Sequence, residues 1–168
     1  MGTDEHKKAA PKRVDLGILT ISTTRTLETD KSGQWIRNQA EKEGHRILRH
    51  EVVPDDADDI CNALSDTVRE YSPQVVLLTG GTGTSRLDVT IEAVRPLLQK
   101  ELTAFGCLFA QLSFDEIGSA AMMSRATAGI IDNTVVFCMP GSLAACKLAC
   151  KALIFPELGH LVKHLRSG

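Results

Sequence analysis

Aromatic side chains are scarce: one Trp, one Tyr and five Phe make up 4% of the 168 residues. That argues against a base-stacking platform for single-stranded nucleic acid, which needs several rings in a row. Charge of one sign is missing too, the formal balance being −2. Nothing therefore favours a nucleic-acid backbone or an anionic membrane surface as partner. No apolar run is long enough to span a membrane, and the polar, lysine-rich start has no apolar signal segment. The expectation is a cytoplasmic protein with no nucleic acid and no membrane. The five cysteines (Cys61, Cys107, Cys138, Cys146 and Cys150) are odd in number and form no CxxC. Most sit in apolar contexts, which predicts reduced, buried thiols and no metal site. No repeat and no low-complexity segment divides the chain. The reading is a flexible tail over residues 1–12 and a single domain over 13–168.

What the sequence does have is concentrated at residues 75–84, Val-Val-Leu-Leu-Thr-Gly-Gly-Thr-Gly-Thr. The first half is the short apolar run of a strand buried on both faces. The second half bends at Gly80, Gly81 and Gly83, and Asp88 reads as the N-cap of a following helix. Strand, glycine-rich bend and helix start together make an anion site of free N–H groups. Thr79, Thr82, Thr84 and Ser85 add hydroxyls. Two familiar phosphate loops are excluded: no lysine follows Gly83, and Arg86 stands where a dinucleotide loop needs a third glycine.

The rest of the chain alternates in kind. Residues 14–21 and 46–53 read as strands, separated by a polar loop and a helix running from Gln34 to a C-cap at Gly44. A helical stripe follows over 57–71. A helix from Thr90 should bend or end near Pro96, and another covers 102–117. Asp132-Asn133 is a hairpin signal between two further strands, and helices follow Ser142 and begin at Pro156. This predicts an α/β fold, a three-layer α/β/α sandwich whose mostly parallel sheet carries one antiparallel edge strand.

If those strands are parallel, Ser22 to Arg25, Asp55 and Asp56, the glycine loop with Asp88, and Pro140 to Ser142 share one rim. Open α/β sheets bind ligands there. Two aspartates beside a phosphate cradle would repel a polyphosphate unless Mg²⁺ lies between, since that ion takes one or two carboxylates plus phosphate oxygens. His160 and His164, four apart without a third ligand, read as a solvated face. His45 and His50 read as strand residues with no evident partner.

Several segments together resemble one family. They are Leu78-Thr79-Gly80-Gly81-Thr82-Gly83, Asp88-Val89-Thr90 with Glu92-Ala93, Leu112 to Gly118, Ser124-Arg125-Ala126 with Ala128-Gly129, and Met139-Pro140-Gly141-Ser142. The chain from about Arg13 onward resembles the MoaB/Mog family of molybdenum cofactor biosynthesis proteins, in its MoaB-like branch. The resemblance implies Mg²⁺-dependent adenylylation of molybdopterin by ATP, with pyrophosphate leaving. It implies catalytic and Mg²⁺-holding roles for Asp55 and Asp88. It implies a substrate-binding wall of Ser22, Thr23, Asp30, Thr79, Gly80, Gly81, Thr82, Gly83, Glu92, Ser124, Arg125, Pro140, Gly141 and Ser142. Where many relatives have Ser-Asp after strand one, this chain has Ser22-Thr23. The resemblance further implies a homotrimer or homohexamer, and a separate molybdopterin molybdotransferase downstream. The alternatives are a non-catalytic molybdopterin-binding paralogue and an unrelated nucleotide-binding regulator.

Overall fold

Strand β1 (Asp15–Ile21) forms the centre of the first half of the molecule. It is flanked by β2 (Arg46–Val53) on one side and β3 (Val75–Thr79) on the other, both parallel to it. The computed structural model describes residues 11–166; the tail expectation for residues 1–10 lies outside them. The sheet has six strands in the order β2-β1-β3-β6-β5-β4. Strand β6 (Thr134–Met139) continues parallel to β3, and β5 (Thr127–Ile131) returns antiparallel across the Asp132-Asn133 turn. A two-residue strand β4 (Lys100–Glu101) pairs with β5 and takes the edge. The sequence gives no run for β4. Its pairing depends on Gln99, whose N–H donates to the Ile130 carbonyl at 2.8 Å.

The sheet is apolar on both faces, so each face needs its own helical layer. Alternate residues divide accordingly. Leu16, Ile18, Val75, Leu77, Val135 and Phe137 enter one core, and Leu19, Ile21, Val76, Leu78, Val136 and Cys138 enter the other. The first core is closed by α1 (Lys31–Lys42), α4 (Thr103–Ile117), α5 (Leu143–Ala149) and α6 (Leu158–Arg166), through Ile36, Phe109, Cys146 and Leu158. The second is closed by α2 (Ala57–Asp66) and α3 (Thr90–Val94), through Ile60, Leu64, Ile91 and Val94. Burying one such side chain contributes about 1.5–3 kcal/mol. This is the expected α/β/α sandwich.

Three local expectations change. Helix α1 starts at Lys31 rather than Gln34, because the Asp30 carboxylate accepts the Gly33 N–H and caps it. Asp88 is not the cap of α3; Val89 holds that position without a side-chain bond. Helix α4 buries Phe105 and Phe109 but leaves Leu108, Phe114 and Ile117 more than half exposed. Pro96 does end its helix, in a tight 3₁₀ turn over Arg95–Leu97.

Candidate functional site

The chain leaves β1 for β2 on one side and then crosses to β3 on the other. The carboxyl ends of β1 and β3 therefore diverge, and a crevice opens between their loops. A cavity of about 360 Å³ lies there. Ser22 and Arg25 line it from the β1 end, Asp55 from β2, Gly80 to Gly83 and Asp88 from β3, Ser124 from the approach to β5, and Pro140 and Gly141 from β6. A larger cavity of about 540 Å³ opens at the opposite ends of the strands, around Pro73, Gln74 and Asn133. None of the residues expected to act lies in it.

The glycine loop is held by its carbonyls. Thr90 donates its hydroxyl to the Gly80 carbonyl at 2.8 Å and its N–H to the Gly81 carbonyl at 2.9 Å. Arg125 donates Nε to the carbonyls of Thr82 and Gly83, each at 3.0 Å. With four successive carbonyls tied down, the N–H groups of Gly81 and Thr82 are left without a backbone acceptor among the described residues, and the Gly83 N–H turns to the Asp88 carboxylate. Gly80 and Gly81 sit at φ of 104° and 63°, where only glycine is comfortable. A Cβ at Gly80 would lie 2.3 Å from the Ile21 carbonyl oxygen. The Thr82 hydroxyl oxygen is buried in the cleft wall and has no partner among the described residues. A buried polar atom left unpaired is costly, and in a cleft it marks a place for a ligand atom.

The two aspartates are fixed differently. Asp55 Oδ2 accepts the Thr23 N–H at 2.7 Å and the Thr23 hydroxyl at 2.9 Å. Asp88 Oδ2 accepts the Ser85 N–H at 2.8 Å, closing the turn after the glycine loop. The bonds from Ser85 hold the Asp88 carboxyl below its ordinary value against partial burial, aided by the Gly83 N–H and the charge of Arg125. Among the described residues no group of three or more His, Cys, Asp or Glu is arranged for a metal. Two carboxylates on one cleft nevertheless suit Mg²⁺, which completes its shell with phosphate oxygens and water.

Several expected ligand residues hold the protein instead. Asp30 is fully buried: it accepts the Thr20 hydroxyl at 2.6 Å and the Gly33 N–H, and lies 3.1 Å from His50 Nε2. Burial pushes its carboxyl up, but the bonds from His50, Thr20 and Gly33 outweigh that and hold it below its ordinary value. His50 thus has a partner that its strand position did not reveal. Thr79 is buried and donates to the Pro140 carbonyl at 3.1 Å. Ser142 caps α5 by accepting the Ala145 N–H. Glu92 is exposed and pairs with Arg125, which lowers its pKa. Neither Glu92 nor Arg125 lines the cleft, so both act on the loop from outside. Arg25 was not singled out from the sequence, although it stands in the rim segment after β1. It lines the cleft and donates to the Gly141 carbonyl at 3.2 Å.

A family described as "Probable molybdopterin binding domain" matches residues 17–160. Molybdenum cofactor biosynthesis protein B of Bacillus cereus is 49% identical over 166 residues, 98% of this chain and of that one. The Bacillus subtilis protein of the same name is 48% identical over 167 residues, 99% of this chain and 98% of that one. The chain belongs to the MoaB/Mog family of molybdenum cofactor biosynthesis proteins. Family structures superpose closely on it. A crystal structure of molybdenum cofactor biosynthesis protein B gives a TM-score of 0.91 at 49% identity, covering 95% of this chain and 99% of that one. The tungsten cofactor synthesizing protein MoaB from Pyrococcus furiosus gives 0.84 at 38% identity, covering 94% and 99%. A MogA structure, 23% identical with a TM-score of 0.81, shares the fold. Cys107 is the one MoaB/Mog cysteine here that departs from the buried-thiol expectation outright, being exposed. Among the described residues no helix is long and apolar enough to cross a membrane.

Proposed function

We propose that this MoaB/Mog member works in molybdenum cofactor biosynthesis as a molybdopterin adenylyltransferase, in one domain from residue 13 onward. The observation that carries this reading is the placing of Asp55 and Asp88 beside the N–H groups of Gly81 and Thr82 and the unpartnered Thr82 hydroxyl on one cleft. A pure binder of an anionic pterin gains nothing from two carboxylates beside its phosphate. In the reaction the terminal phosphate oxygen of molybdopterin attacks the α-phosphorus of ATP. The bond from that phosphorus to the bridging oxygen of the β-phosphate breaks, and pyrophosphate leaves. The glycine loop and the Thr82 hydroxyl hold phosphoryl oxygens, and Arg25 brings positive charge to the cleft. Asp55 and Asp88 would hold Mg²⁺, which offsets the charge gathering on the leaving group. Positioning dominates such transfers, so a pre-fixed loop is the protein's main contribution.

A second reading, a non-catalytic molybdopterin binder, draws on the Asp88–Ser85 bond, since Asp88 already serves the loop. Pyrophosphate release from Mg-ATP separates the two. The enzyme releases it only when molybdopterin is present, and the binder releases none in either case. Release independent of molybdopterin would point to a nucleotide-binding regulator.

The exposed Leu108, Phe114, Ile117, Met122 and Met123 favour association with further copies, as a homotrimer or homohexamer. A monomer mass by light scattering at micromolar concentration would contradict it. On this reading the protein is cytoplasmic and passes its product to a separate molybdotransferase.

A further inference from the structure

Far from the cleft chemistry, α6 carries two histidines one turn apart. Their Nε2 atoms approach to 2.9 Å, with ring centroids 4.6 Å apart and planes inclined at 63°. The other nitrogen of the first ring, His160 Nδ1, lies 3.1 Å from Glu157 Oε2. With the carboxylate on Nδ1, the His160 ring turns its Nε2 towards His164, the nitrogen that would take a metal ion. His164 brings its Nε2 to the same point. Both rings are reachable, His160 being 25% exposed at its side chain and His164 lying at the surface.

The geometry points to a divalent transition-metal site chelated by His160 Nε2 and His164 Nε2, with Glu157 orienting the first ring. Residues four apart share a helix face, so one ion can reach both. Imidazole suits the ions at the strong end of the divalent series. With metal–nitrogen bonds of about 2.0–2.1 Å, two ligands at a right angle lie about 2.9 Å apart, and two tetrahedral ligands about 3.4 Å. The 2.9 Å separation, a hydrogen bond in the metal-free pair, is near both values, so a small ring rotation admits Ni²⁺, Cu²⁺ or Zn²⁺. Water fills the remaining positions. Without metal, the pair is held by one proton, donated from one Nε2 to the other. Glu157 acts on the far ring nitrogen, the arrangement usual for metal-bound histidine. Magnesium prefers oxygen ligands and does not compete here. The site is thus chemically separable from the proposed Mg²⁺ position at Asp55 and Asp88.

The test is titration calorimetry of Ni²⁺ into the full-length protein, in buffer containing Mg²⁺, comparing wild type with His160→Gln, His164→Gln and Glu157→Gln. Circular dichroism checks that each variant keeps its helices. Wild type should take up one Ni²⁺ per chain at this site. Either histidine change should weaken that binding more than tenfold. Glu157→Gln should weaken it about tenfold, because it loses only the orienting carboxylate. With Cu²⁺ in place of Ni²⁺, electron paramagnetic resonance should show two coordinating nitrogens. Binding that is absent from wild type, or equally strong in both histidine variants, would overturn the assignment.

Discussion

Thr23 and Asp55 hold one another across the rim. The Thr23 N–H and hydroxyl both donate to Asp55 Oδ2, at 2.7 and 2.9 Å, and the Asp55 N–H returns to the Thr23 hydroxyl oxygen at 3.2 Å. Thr23 is thus the residue that orients the first carboxylate in this chain. Thr23→Ala removes the hydroxyl but keeps the N–H bond. Adenylylation should fall about tenfold in kcat/KM, some 1.4 kcal/mol, with little change in Tm. Steady-state kinetics give the number, and an unchanged kcat/KM would leave the hydroxyl without a role.

Arg125 acts on the cleft without entering it. Arg125→Gln removes the charge and the one Nε–H that the Thr82 and Gly83 carbonyls share, and it takes away the ion pair of Glu92. The loop should lose its fixed N–H directions. Affinity for ATP should drop by about tenfold or more, while Arg125→Lys restores part of it. Calorimetry with both variants checks this, and wild-type affinity in Arg125→Gln would remove Arg125 as a positioning residue.

Gly81→Ala meets two obstacles, a left-handed backbone and a Cβ placed 2.4 Å from the Thr90 hydroxyl oxygen. The strain of the first is about 1–2 kcal/mol. The protein should remain folded and lose affinity for nucleotide and pterin phosphates. Titration calorimetry unchanged from wild type for both ligands would contradict the loop assignment.

Asp30 gives a pH signature. Its folded pKa is below the unfolded value, so the stability it contributes is complete above that unfolded value, 3.8. The contribution is lost as pH falls from there through the folded pKa. Denaturant titrations should show a constant stability gap between wild type and Asp30→Asn near neutral pH. The gap should shrink below about pH 4. A gap that stays constant well below pH 4 would contradict this.

These residues also show what the sequence could disclose. Strands β1, β3 and β6, and the rim they share, are legible because apolar runs and glycine clusters are local signals. So are the Asp132-Asn133 turn and the stop at Pro96. The Asp30–His50 contact is not, because it joins residues 20 positions apart through a pairing that only the folded sheet creates. Glu92 and Arg125 stand in motif segments, but their direction, outward onto loop carbonyls and each other, follows from how β5 approaches α3. Strand β4 is too short to leave a period. Asp88 reads as a cap because it precedes a helix, yet its carboxylate turns back to Ser85.

In the proposed reaction Asp55 and Asp88 act together on a nucleotide–metal complex. The measurement that tests it is the rate of molybdopterin-dependent pyrophosphate release by Asp55→Asn and Asp88→Asn, beside wild type, with Tm recorded for each. Asparagine keeps an oxygen for the Thr23 and Ser85 bonds but removes the charge a metal needs. Losing one such contact costs on the order of 3–4 kcal/mol of barrier, a fall of some hundreds-fold. That loss is expected in each variant, with Tm little changed and molybdopterin still bound. Wild-type rates in both variants, or no release by wild type itself, would contradict it.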